Sequence, residues 1–137
     1  MKKKYNILCC IIFLFVIASC DPISSVEYRI YNFNSEIVTI ELKKRIEYDI
    51  YHEDSVKKHY ASDDNIVELE HYDFLELYYE WMNNRAKSHT PLWEDISSIH
   101  IGDSIIPHTY WNNVENWEVR SRSEIHGESI KYYLYLK

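Results

Sequence analysis

The chain of 137 residues is short of cysteine, glycine and proline, and each shortage closes off some chemistry. Its three cysteines, Cys9, Cys10 and Cys20, all lie in the first twenty residues, so nothing from Asp21 onward carries a thiol. That stretch can form no disulfide, no zinc–thiolate site and no cysteine nucleophile, and its stability must come from packing. Gly102 and Gly127 are the only glycines, too few for a phosphate-cradling loop or a dinucleotide fingerprint. Pro22, Pro91 and Pro107 are the only prolines. There is no internal repeat, no low-complexity tract, no HExxH pair and no GxSxG elbow to present a serine nucleophile.

What is present begins with an ordered leader. Lys2, Lys3 and Lys4 form a cationic head, Ile7 to Ala18 is apolar, and Ile17-Ala18-Ser19-Cys20 places small residues just before a cysteine. This order resembles the lipobox of bacterial lipoprotein signal peptides, where a peptidase pocket takes the small residues and a transferase alkylates the cysteine thiol. Twelve apolar residues at ~1.5 Å rise span only ~18 Å, against ~30 Å of hydrocarbon, which argues against a transmembrane anchor. An ordinary signal peptide that leaves Cys20 unmodified is a second alternative. A buried core segment is a third, and the triple lysine argues against it.

The resemblance implies a cleaved signal peptide over residues 1–19, a lipidated Cys20 with a short linker over 20–25, and one domain over 26–137. It implies a membrane-anchored lipoprotein of the bacterial cell envelope, held by diacylglyceryl and acyl chains on Cys20, with the outer membrane preferred over the inner. Asp21, directly after the cysteine, resembles an inner-membrane retention signal of enteric bacteria. The linker, Asp21 to about Ser25, reaches at most ~18 Å, which would keep the domain close to the membrane.

The leader holds three of the fifteen basic residues and none of the twenty-two acids, so its loss takes the net charge from −7 to −10. That balance argues against nucleic acid and anionic lipid head groups as partners, because both would be repelled. Apolar and aromatic residues are spread along the whole remainder, enough for a packed core.

Period-two alternation dominates that remainder. Val26, Tyr28 and Ile30, then Val38, Ile40 and Leu42, fall on even numbers, and Ile46, Tyr48 and Ile50 continue the register. If the first two runs form a hairpin, shared parity requires an odd loop, Phe33–Ser35 or Asn34–Glu36, with Asn34 supplying a left-handed residue. Lys43-Lys44-Arg45 marks a bulge or strand end. His52 to Ser55 reads as a turn, Val56 to Tyr60 as an edge strand, and Ala61 to Asn65 as a loop. Residues 66–82 read as two strands with a turn near His71–Asp73, their apolar residues on odd numbers. A helix capped by Asp63 or Asp64 is the rival.

Asn83 to Trp93 reads as a loop. Ile96–Ile101 and Ser104–Pro107 flank Gly102-Asp103, a two-residue turn of the II′ kind. Trp117 and Val119 read as inward-facing, as do Ile130, Tyr132, Leu134 and Leu136, leaving Lys131, Tyr133, Tyr135 and Lys137 for solvent. Seven to nine short strands at this spacing predict an all-β fold, an antiparallel β-sandwich behind the signal peptide, with an immunoglobulin-like type as the candidate arrangement. The "VEYRIYNFNSEIVTIEL" stretch behind a lipobox and the "IKYYLYLK" ending also resemble small bacterial lipoproteins of unknown function, which implies a sandwich and no activity.

Candidate chemistry is thin. His52-Glu53-Asp54, His71 with Asp73, and His100 with Asp103 lack the spacing of a metal site, and Asp63-Asp64-Asn65 lacks the EF-hand pattern. Adjacent acids such as Glu94-Asp95 do not establish the separation across a cleft that glycoside hydrolysis needs. No catalytic residue, metal ligand or cofactor is assigned, and the chain is not read as an enzyme. Aromatics are the one excess. Trp93, Tyr110 and Trp111, with Asn112, Asn113 and Asn116 nearby, form a candidate ligand-binding group in which rings stack on sugar faces and amides bond hydroxyls. Packing of Trp81, Trp93, Trp111 and Trp117 in or around the core competes with that reading. The sequence therefore leads to a lipid-anchored binding or assembly module with an envelope protein or a glycan as partner. A carbohydrate-binding surface protein and a surface hydrolase are the alternatives.

Overall fold

The computed structural model describes residues 23–44, 46–52, 55–61, 65–82, 91–124 and 127–137. The leader, Cys20 and Asp21 lie outside the described residues, as do Glu53, Asp54, Asp63 and Asp64. Ten strands are found among the described residues: β1 (Ile23–Asn32), β2 (Val38–Leu42), β3 (Glu47–His52), β4 (Ser55–Ala61), β5 (Ile66–Leu69), β6 (Asp73–Met82), β7 (Ile96–Ile101), β8 (Ser104–Ile105), β9 (Glu118–Glu124) and β10 (Gly127–Leu136). Two single-turn helices, α1 (Leu92–Asp95) and α2 (His108–Trp111), and a 3-10 turn at Val114–Asn116 join the later strands.

The strands form an all-β sandwich of two sheets. The larger has the order β4-β3-β6-β1-β10-β9 and the smaller β5-β2-β7-β8. Alternation builds the core as the sequence predicts, because successive side chains of a strand point to opposite faces. Val26, Tyr28, Ile30, Leu75, Leu77, Leu134 and Leu136 of the larger sheet meet Val38, Ile40, Val67, Leu69, Ile96 and Ile99 of the smaller, all buried. Among the described residues every ladder is antiparallel but one: β1 runs parallel to β10 from Ser25↔Ser129 to Asn32↔Leu136. The immunoglobulin arrangement, which splits its strands as ABED and CFG, is not adopted. The split here is six and four, and the first strand lies mid-sheet beside the last.

The strands of residues 66–82 form as two, with the turn where the sequence puts it. Their pairing differs from a simple hairpin: β5 joins β2 in one sheet and β6 joins β1 and β3 in the other. The expected β1–β2 hairpin is likewise absent. β2 pairs with β5 and β7, so residues 33–37 cross from one sheet to the other. Shared parity permits both outcomes, since strands facing each other across a core also turn their even residues inward. Asn32 fastens the crossing. Fully buried, it donates through Nδ2 to the carbonyls of Glu36 and Leu69, both at 2.9 Å, and accepts the Asn34 amide at Oδ1, 2.7 Å away. Asn34 itself is not left-handed; the one described non-glycine residue with positive φ is Tyr72, at 65°.

Other expectations fare unevenly. Gly102 turns β7 into β8 with φ 53° while Asp103 keeps negative φ, the II′ pattern, and an added Cβ there would strike the Glu36 carboxylate. β4 is an edge strand as predicted. Ile23 to Ser25, expected to be linker, already pair within β1, and the Ser25 and Ser129 hydroxyls lie 3.2 Å apart. Val119 lies on the core-side face, opposite Tyr132 in register, but is not buried there. It is exposed on β9, an edge strand of the wider sheet, whereas Trp117 just before it is buried. Tyr133, assigned to solvent, is buried beneath Arg120. Among the described residues no helix is long and apolar enough to cross a membrane.

Candidate functional site

Trp111 and Trp117 lie in the core and Trp93 packs against it, while the Trp81 side chain lies outside what the structure describes. Trp111 sits on α2 with only 1 % of its surface exposed, against His108 at 4.3 Å between ring centres. The loop position expected for it fails because Pro107 starts a helical turn that rotates residue 111 inward. Trp117 is tied to the same turn, its indole N–H donating to the Trp111 carbonyl at 2.9 Å. Trp93, half-buried on α1, packs edge-on to Tyr28 at 5.8 Å and to Tyr132 at 5.4 Å, and lies 5.7 Å from Trp117. Trp111 and Trp117 belong to the core cluster and Trp93 packs against it, so the Trp111 ring is not open to a sugar.

The remaining members of that group are at the surface but largely engaged. The Tyr110 hydroxyl donates to the Tyr135 carbonyl (3.1 Å), Asn113 accepts the Glu115 amide as the cap of the 3-10 turn, and Asn116 donates to the Tyr110 carbonyl at 2.6 Å. Asn112 is exposed at the end of α2.

Of the histidine groups, Glu53 and Asp54 lie outside the described residues, and the described histidines each have a separate partner. The His52 Nδ1 lies 2.8 Å from the buried Asp73 carboxylate, His71 lies 2.6 Å from the Asn34 carbonyl, and His100 bonds the Ser98 hydroxyl. Asp95 is buried and paired with Lys44 while Glu94 is exposed, so the two acids do not share a cleft. No group of three or more metal-ligating side chains occurs among the described residues.

What the structure brings together instead is an aromatic band on the outer face of the larger sheet. Tyr51 of β3, Phe74 of β6, Tyr31 of β1 and Tyr135 of β10 are register partners in turn. Their rings stack across the strands with centres 5.0, 4.7 and 5.4 Å apart. Direct cross-strand neighbours of this kind stabilise a sheet. Phe33, just past β1, stacks at 5.9 Å on both Tyr31 and Tyr135, and Tyr72 meets Phe33 edge-on at 6.2 Å, with the His71 ring 3.8 Å from Tyr72. The odd numbers of Tyr31, Tyr133 and Tyr135 were a signal for this face, because strands with even residues inward place them outside.

Behind the band lies a row of charges. Arg29 binds Glu27 and, at 2.8 Å, Glu76, and stands 5.1 Å over the Phe74 ring; Lys131 binds Glu27 at 2.7 Å. Burial raises the Glu76 pKa above the ordinary glutamate value, and Glu27 adds to the rise, while Arg29 opposes both. At the β9 edge Glu118 accepts from the Tyr135 hydroxyl (3.1 Å) and from Arg120, which lies 4.8 Å over Tyr133.

The band occupies one end of the molecule. β1 runs from Ile23 to Asn32, and the register puts Asp73, His52, Leu136 and Glu118 at the Asn32 end. Nine strand steps of ~3.3 Å separate Ile23 from that end by roughly 30 Å.

Comparison with known proteins finds no match: no protein-family model, no curated protein and no solved structure is similar to this chain.

Proposed function

We propose that the chain is a lipid-anchored binding module of the bacterial cell envelope, tethered through diacylglyceryl and acyl chains on Cys20, and that it meets its partner with the aromatic end of the sandwich. The observation that carries this reading is the position of the two ends. Cys20 stands three residues before Ile23, and the aromatic band closes the opposite end of the same strand. A tether at Cys20 would therefore hold the Ile23 end of the domain near the bilayer and leave the aromatic band at the far end.

Cells fed a labelled fatty acid provide the test of the anchor. Wild-type chain takes up the label, whereas Cys20→Ser leaves an unlabelled precursor or a released domain. Equal labelling of the two would refute the tether. A glycan as partner has less support, because Trp111 is buried and Trp93 packs against the core cluster.

A further inference from the structure

We infer that the aromatic end of the sandwich binds a lysine- or arginine-bearing polypeptide segment, an inference that rests on this end being the recognition surface. Four large apolar side chains stand out there: Phe33 is 40 % exposed, Ile37 50 %, Tyr72 52 % and Tyr110 39 %. Phe33 and Tyr72 touch each other, and each of the four is fixed to the frame of the sandwich. Phe33 touches Tyr72 and Tyr135, the Tyr110 hydroxyl is bonded to the Tyr135 carbonyl, and the Ile37 carbonyl accepts the Gly102 amide at 3.0 Å. An exposed apolar cluster on a fixed frame marks an interaction surface.

Charge decides the occupant. The three connections that build this end, residues 33–37, 70–72 and 102–103, contain Glu36, Glu70 and Asp103 and no lysine or arginine, and the exposed Lys137 after β10 leaves the acids in excess there. All three acids are exposed. A basic partner is attracted to such a rim, and an acidic one is repelled. The rings favour the same chemistry, since a cation over an aromatic face is attracted by its quadrupole. The protein already uses that contact further back on the same face, where Arg29 covers Phe74 and Arg120 covers Tyr133. Among the described residues no cation stands over Phe33 or Tyr72. A lysine or arginine from a partner would complete the row while its neighbours bond Glu36 and Asp103.

Full-length chain in non-ionic detergent is titrated into three fluorescent dodecapeptides, alternating Lys-Ser, Glu-Ser and Gly-Ser, and into a labelled neutral hexasaccharide. The Lys-Ser peptide should bind, more weakly as salt is raised. Tyr72→Asn, and separately the pair Glu36→Gln with Asp103→Asn, should each weaken it by about tenfold. Glu94→Gln on α1 should leave it unchanged. Circular dichroism on each variant confirms that it is folded. Absence of Lys-Ser binding overturns the proposal, as does Lys-Ser binding no tighter than Gly-Ser. Hexasaccharide binding that depends on Tyr72, without peptide binding, overturns the basic partner but keeps this end as the site. Lys-Ser binding that survives all the variants overturns the site as well.

Discussion

Tyr72 holds a backbone conformation that a bulky residue avoids. Its φ of 65° lies in the left-handed region, which costs an L-residue about 1–2 kcal/mol. The turn is nonetheless well fixed: the Tyr72 amide donates to the Asn32 carbonyl (2.9 Å), and the Asp73 amide and carboxylate bond back to Glu70. Asparagine tolerates this region, so Tyr72→Asn should raise stability by about 0.5–1 kcal/mol in a urea melt. An unchanged or lower midpoint would show that the ring contacts outweigh the strain. Trp111 makes the complementary point about what the sequence conceals. Nothing in its neighbourhood alternates, so only the helical turn after Pro107 reveals that it is buried. Trp111→Ala and Trp117→Ala should therefore each destabilise by about 3–5 kcal/mol, as deletion of a buried large aromatic does. A mild effect at Trp111 alone would return it to the surface.

At the scale of the element, strand boundaries and inward faces were legible in most places because period two is a local signal. Partners were not. The even parity of β1 and β2 suits a hairpin and suits two strands facing across a core, and only the buried hydrogen bonds of Asn32 decide between them. Val119 was misread for a related reason: alternation marks a face as apolar without saying whether a second sheet covers it. The outer face of β1 and β6 yields a test in acid. An ion pair with Arg29 alone would lower the Glu76 pKa, yet burial and Glu27 outweigh it and the net direction is upward. The folded state therefore holds the Glu76 proton more tightly than the unfolded chain does. Charged Glu76 costs stability at neutral pH, and that cost is relieved as pH falls through a window just above the ordinary glutamate range. Glu76→Gln should lose this part of the pH dependence without losing stability at neutral pH. A variant whose pH profile in thermal melts overlays wild type would show that Arg29 pairing dominates instead.

For the molecule as a whole, the position of β1 and β10 sets the order in which structure can form. These two strands are neighbours in the middle of the larger sheet, and Ser25 meets Ser129 across 104 residues of sequence. Parallel pairing between the first and last strands closes the longest loop available, and its entropic cost precedes the contacts that offset it. The larger sheet is thus incomplete until the final residues are present. Leu134 and Leu136 are fully buried, so their loss would uncover their β1 partners Ile30 and Asn32 as well. Removal of Lys137, which is exposed, should leave the melting curve unchanged. Removal of residues 130–137 should abolish cooperative unfolding and protease resistance, because it takes the partner of β1 on one side and of β9 on the other. A truncated chain that still melts cooperatively would show that β4, β3, β6 and β1 close the core with the smaller sheet unaided, and that β10 adds stability without completing the fold.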